Sequence, residues 1–177
     1  MKTLKQHINE ALKIGNNLSE WSVYSCQPKT KKELLEIIKY RISKEGTNCD
    51  LNDIDVSQIK DMSYLFAWSK FNGDISKWNV SKVEDMSSMF KEAYFNGDIS
   101  KWNTSKVRDM WNMFCDSKFN GDISKWNVSN VNNMNDMFTY SRFNVDISKW
   151  KINKDCDIRH MFDNCPIKEE YKPELPE

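Results

Sequence analysis

The chain has 177 residues and a mass of 21.0 kDa, enough for one domain with a worthwhile core. Its 26 basic and 26 acidic residues cancel and the sequence pI is about 6.7, so no global field seeks polyanions, and nucleic acid and acidic membranes are disfavoured as partners. The five cysteines (Cys26, Cys49, Cys115, Cys156, Cys165) are scattered with no Cys-x-x-Cys pair, which argues for reduced, structural thiols over a disulfide framework or a zinc site.

The first residues, Met1-Lys-Thr-Leu-Lys-Gln-His-Ile-Asn-Glu10, hold no apolar run of signal-peptide length, and no later segment approaches the ~20 apolar residues of a membrane span. These features set the expectation of a soluble chain, not secreted by the usual route. Thr3 with Gln6 forms a capping box, and Leu4, Ile8, Ala11 and Leu12 recur at helical spacing until Gly15, which predicts a helix over 4–14. Trp21, Val23 and Tyr24 lie in a β-prone run over 21–26, closed by Pro28. Thr30 and Glu33 make a second capping box, after which Leu34, Leu35, Ile38 and Ile42 line one helical face as far as Gly46. Lys31, Lys32, Lys39, Arg41 and Lys44 read as its solvated side. Residues 1–46 are thus expected to form an α-helical N-terminal cap over the apolar edge of a repeat array that begins at Thr47.

Residues 47–166 write one 24-residue unit five times without an insertion. Three units open Phe-Asn-Gly-Asp-Ile-Ser-Lys-Trp, at Phe71, Phe95 and Phe119, and the fourth, at Phe143, changes only the glycine, to Val145. Each runs on into Val-x-x-Met-x-x-Met-Phe, as in Val83, Met86, Met89 and Phe90. A degenerate unit stands in front, and the last decays into Ile152, Ile158, Met161 and Phe162, as the ends of a stacked array must when they meet water or a cap. Within a unit, 75–80 reads as a short strand bounded by Asn72-Gly73-Asp74 turn chemistry. From Val83 the spacing reads as a short helix, with Ser81 and Glu84 as its capping box. The predicted architecture is therefore α/β: a right-handed repeat solenoid, leucine-rich-repeat-like, with one short strand and one short helix per turn. Strands spaced by about 4.8 Å and helices needing roughly 8 to 10 Å would curve it. The acidic, proline-bearing tail over 167–177 is expected to be extended or frayed.

These units, Asp-Ile-Ser-Lys-Trp-Asn-Val-Ser-Lys-Val-x-Asp-Met-Ser-Ser-Met-Phe over Asp74 to Phe90 and their copies, resemble the BspA-type repeats of bacterial leucine-rich-repeat-like surface proteins, abundant also in mycoplasma lipoproteins. The resemblance implies a solenoid that binds other macromolecules and performs no catalysis. With its own cap and no secretion signal in this sequence, the chain looks like the compact unsecreted versions of gut bacteria and their phages. A cytoplasmic or phage-associated location is expected, with the cell surface as the family-based alternative.

Positions fixed in every unit solve a shared packing problem, whereas positions that vary are free to contact something. The Trp78, Trp102, Trp126, Trp150 ladder could be a stacking platform, but core filling is the preferred reading. Asn72, Asn96, Asn120 and Asn144 are expected to bond backbone at a turn. Counting Phe71 as position 1, positions 17, 18, 22 and 24 alternate between aromatic and small polar or charged residues. Tyr64, Trp68, Tyr94, Trp111 and Tyr140, with Arg142, are accordingly the candidate partner-binding residues, of types enriched at interface hot spots. Trp111, in mid-stack with no cap to touch, leads them. A weaker candidate is the strand-face stripe Lys77, Lys101, Lys125 and Lys149, which Asp74, Asp98, Asp122 and Asp146 offset. That aspartate column is spaced by whole turns and does not converge as a metal site requires, so neither metal nor cofactor is expected. His7 and His160 stand beside no nucleophile, so no enzyme is expected either. The expected function is a non-enzymatic protein-protein interaction module, monomeric, with a self-associating phage virion or assembly component as the alternative.

Overall fold

The computed structural model describes residues 27–175. The expected helix over 4–14 and the run over 21–26 lie outside the described residues. The first described element, α1, is the helix Lys31–Glu45. Thr30 Oγ1 accepts the Glu33 amide at 3.2 Å, the Lys29 amide donates to Glu33 Oε2 at 2.8 Å, and Gly46, at φ 89°, ends the helix with its N–H on Ile42 O. Leu34, Ile37 and Ile38 are buried in the common core. Polar contacts hold α1 to the first repeat: Lys31 Nζ reaches Asp61 and Ser63 Oγ, and Arg41 reaches Asp53 at 2.8 Å and Asp50 O at 2.8 Å. Burial disfavours the Arg41 charge, yet Glu45 and Asp53 overcome that and hold its pKa above the ordinary arginine value.

The α/β class, the strand and helix per turn, and with them the leucine-rich-repeat-like solenoid, do not form. Among the described residues there are α1, a three-residue 3-10 helix at Glu169–Tyr171, and isolated parallel bridges, with no strand and no sheet. Each unit is instead a coil of consecutive turns; coils 1 to 5 are residues 47–70, 71–94, 95–118, 119–142 and 143–166. In coil 2 the Trp78 amide bonds Ile75 O, Val83 bonds Val80 O, Met89 bonds Met86 O, Lys91 bonds Ser88 O and Ala93 bonds Phe90 O, each an i→i−3 closure. Ile75 and Trp78 both point inward, which a period-two strand over 75–80 could not achieve.

The helix expected from Val83 fails for a backbone reason. Position 18 (Tyr64, Ser88, Asn112, Asp136, His160) and position 22 (Trp68, Glu92, Asp116, Tyr140, Asn164) hold φ between 51° and 58° in every coil. A left-handed residue as third member of a four-residue turn is the type II signature and cannot sit inside an α-helix. It turns the amides of positions 16, 18, 20 and 22 toward the next coil: Met86 bonds Asp109 O at 2.9 Å, Ser88 bonds Trp111 O at 2.7 Å, Phe90 bonds Met113 O at 3.0 Å and Glu92 bonds Cys115 O at 2.8 Å. Bonds to the neighbouring coil thus take the place of a helix's own.

Side chains repeat the register. Each position-4 aspartate accepts the amide two residues on, as Asp98 Oδ1 does from Ser100 at 2.9 Å. An asparagine ladder links successive coils, the amides of Asn96, Asn120 and Asn144 each bonding the preceding Asn Oδ1 at 2.7–2.8 Å. Inside run aromatic columns: Phe66, Phe90, Phe114, Phe138 and Phe162 stack at 5.6–5.8 Å. Phe71, Phe95, Phe119 and Phe143 follow at 6.1–6.4 Å. The tryptophan ladder is buried core, and every indole Nε1–H is satisfied by a carbonyl of the preceding coil, as Trp102 is by Ile75 O at 3.2 Å.

The segment after Pro166 docks on coil 5. Ile167 is buried, the Lys168 amide bonds Asn144 Oδ1 at 3.1 Å, the Ile147 amide bonds Tyr171 O at 3.0 Å, and Pro173 is buried. It replaces the opening of a further coil where the sequence suggested an extended or frayed tail.

Candidate functional site

From position 22, the left-handed residue of the last turn, to position 4 of the next unit, exposure alternates. In coils 1 and 2, Trp68, Lys70, Asn72 and Asp74 face solvent while Phe71 and Gly73 are buried. Positions 22 and 24 therefore share one outer face in every coil, carrying Trp68 and Lys70, Glu92 and Tyr94, Asp116 and Lys118, then Tyr140 and Arg142. Tyr94 is 55% exposed with the Lys118 ammonium 6.0 Å from its ring centroid, and Tyr140 is 63% exposed beside an exposed Arg142. Tyr64, at position 18, stacks on Trp68 with centroids 6.0 Å apart. Tyr64 also lines a recess with Leu35, Ile38, Ile42, Leu65 and Phe66, where α1 meets coil 1.

Trp111 is placed differently. It is half-buried at position 17, a column in which Ser63 and Ser87 are buried, with its amide on Asp109 Oδ1 at 2.8 Å. Five of the six candidates thus belong to the surface of positions 18, 22 and 24, and Trp111 sits beside it with less ring available. Lys77, Lys101, Lys125 and Lys149 are exposed at position 7, on another side of each coil. Their aspartates stay ionised: the Ser76 amide and hydroxyl hold Asp74 below the ordinary carboxylate range, and the matching serine hydroxyls and amides do so for Asp98, Asp122 and Asp146. Each lysine faces an established negative charge.

Among the described residues no group of three or more His, Cys, Asp or Glu is placed to hold a metal ion. Burial pushes the Cys156 thiol up to about 11, which makes it a poor nucleophile at neutral pH, and burial likewise raises Cys115. No helix among the described residues is long and apolar enough to cross a membrane.

Pattern reading missed the left-handed backbone at positions 18 and 22. A signal was present: Asn112, Asp136, His160, Asp116 and Asn164 fall there, and Asn, Asp and His are the residue types enriched at positive φ. Tyr64, Trp68 and Tyr140 occupy the same backbone without that rationale.

Comparison with protein families gives one match. The model of a family described as "Mycoplasma protein of unknown function, DUF285" matches residues 38–138 and again 95–170, together most of the chain. No curated protein and no solved structure matches significantly.

Proposed function

This chain belongs to the DUF285 family, whose function is unknown, and on that premise we propose that it is a non-enzymatic interaction module recognising a protein through the exposed aromatic and basic side chains of positions 18, 22 and 24. One observation carries the reading. Tyr64, Trp68 and Tyr140 are bulky aromatics at φ 58°, 57° and 56°, yet they are 42%, 59% and 63% exposed. Left-handed backbone costs an L-residue with a Cβ about 1–2 kcal/mol, and Asn or Asp meets that cost more easily. Asn112, Asp116 and Asn164 do so elsewhere in the stack. Tyr64 also lines the recess against α1 and stacks on Trp68, but at Tyr140 neither the turn nor the core calls for an aromatic ring, and strain retained without a folding return is a mark of a working surface.

Trp, Tyr and Arg on a stiff frame lose little freedom on contact, which is how a small set of anchors supplies affinity. Repetition of units resembling BspA-type repeats supports the same class of function.

The test compares wild type with Trp68→Asn/Tyr140→Asn, a double variant that keeps both turns. Both are used to capture host proteins, and each captured protein is then purified and titrated. Loss of two hot spots, each worth about 2 kcal/mol or more, should weaken a true partner by roughly several hundredfold where the two add. A partner bound equally by both would refute the site, and wild type retaining nothing would refute the module.

A further inference from the structure

α1 carries more apolar surface than coil 1 covers. Leu34, Ile37 and Ile38 are buried in the core, whereas Leu35 and Ile42, on the flank of the same helix, are half-buried. With Ile38 these two make a stripe at i, i+3 and i+7, about 10 Å long, and the stripe forms one wall of the recess. Tyr64, Leu65 and Phe66 form the other, and Tyr64 keeps 42% of its surface exposed. Among the described residues Lys39 alone brings a charge to the lining. The opposite end of the array is closed by its own chain, with Ile167 and Pro173 buried on coil 5.

We infer that residues 4–14 of this same chain occupy the recess and, on the reading that Tyr64 is a partner contact, hold that contact closed. Leu4, Ile8, Ala11 and Leu12 repeat the spacing of one helical stripe over about 12 Å, a length that fits the wall between Leu35 and Ile42. The charges of the stretch, Lys5, Glu10 and Lys13, fall outside that stripe. The tether favours this occupant over a free one. Twelve residues, 15–26, separate the stretch from Gln27, just before α1, and extended they reach about 40 Å, against about 22 Å for the whole helix. Such a tether gives its end an effective concentration on the order of a millimolar, which a free peptide of the same affinity has to match. A partner that needs Tyr64 then binds only the fraction of molecules whose recess is vacant, and its apparent affinity falls by that fraction.

The test uses the full chain and a short amine-reactive cross-linker, mapped by mass spectrometry. Lys39 lines the recess and Lys5 and Lys13 lie in the stretch, so links from Lys5 or Lys13 to Lys39 should form within one chain. A tether alone brings these amines together at times, so Ile8→Asp/Leu12→Asp decides. Two carboxylates are not accepted by an apolar recess, and the links should fall by about fivefold or more. Hydroxyl-radical labelling of Tyr64 should rise in the same variant while that of Tyr140, in coil 4, stays as in wild type. Unchanged links with unchanged Tyr64 labelling would overturn the docking. Links between chains in a mixture of light and heavy isotopes would assign the recess to a second copy and overturn it too. Should labelling of Tyr140 rise as well, the array has opened, and the milder Ile8→Ser is read in its place. A partner captured on the aromatic surface should bind the double variant more tightly by about threefold or more, and equal binding would overturn the closing of Tyr64. The cross-links need no partner, so failure of the docking and failure of the aromatic surface are separately visible.

Discussion

Replacing Tyr140 by glycine and, separately, by alanine tests the left-handed turn directly. Both substitutions remove the same ring, which is 63% exposed, and both keep the amide that bonds Asp163 O at 2.9 Å. They differ in what the backbone asks of them. At an ordinary position glycine is the weaker residue by roughly 0.5–1 kcal/mol, because its unfolded chain has more freedom to lose. At the φ of 56° found here alanine keeps a Cβ that costs about 1–2 kcal/mol, whereas glycine has none. The difference inverts the usual order, leaving Tyr140→Gly more stable than Tyr140→Ala by about 0.5–1 kcal/mol. Urea denaturation measures it, provided the slope stays the same so that the shift in midpoint reports stability. Alanine equal to or better than glycine would refute the left-handed turn at Tyr140. Ser88, at φ 53° inside the helix expected from Val83 in coil 2, provides an independent pair: a helix favours alanine there and a type II turn favours glycine.

Three further outcomes rest on the packing and the charges. Trp102→Phe removes one of two bonds to the Ile75 carbonyl, which keeps the Trp78 amide, and it should cost about 0.5–1.5 kcal/mol beyond the lost ring area, read by chemical denaturation. Glycine-to-alanine changes at repeat position 3 should destabilise in the order Gly73 first, then Gly97 and Gly121 alike, because an added Cβ would lie 2.0 Å from the backbone oxygen of Cys49 at the first but 2.8 Å and 2.9 Å from the Phe95 and Phe119 rings at the others. A thermal-melt series checks the order, and equal losses would show that the first coil yields. The position-4 carboxylates titrate lower in the folded chain than in the unfolded one, so the unfolded state binds protons first as pH falls. Their contribution is present above the unfolded value near 3.9 and is lost as pH drops through the folded values. Asp98→Asn keeps an acceptor for the Ser100 amide and should flatten part of that acid loss. An unchanged pH profile would assign the acid loss elsewhere.

What was legible in the sequence divides along physical lines. The capping residues Thr30 and Glu33 announced α1, because caps are local and chemically specific. The repeat period and the burial of Trp78 and its copies were legible too, since a large aromatic in every unit has little else to do. The secondary structure within the unit was not. Spacing of Val83, Met86, Met89 and Phe90 fits one face of a helix, but it fits a chain of three-residue closures equally well. Only the residue types at positions 18 and 22 separate the two, and Tyr64, Trp68 and Glu92 blur that signal in the first two coils. Varying aromatics pointed to Tyr94 and Tyr140, which are exposed, and to Trp111, which is half-buried. Direction of hydrogen bonding leaves no trace in composition, so the turning of the Met86, Ser88, Phe90 and Glu92 amides toward the next coil could be read only from the structure.

The asparagine ladder has a consequence for how such a chain changes over generations. Asn96, Asn120 and Asn144 each take their bond from the unit before and offer the same bond to the unit after, at 2.7–2.8 Å, and Lys168 closes the series on Asn144 at 3.1 Å. A unit bounded by two identical junctions can be copied or lost by recombination in the gene without either junction registering the event. As far as stacking is concerned, the number of middle units is free to change, whereas the two ends, where α1 and the docked tail are each written once, are not.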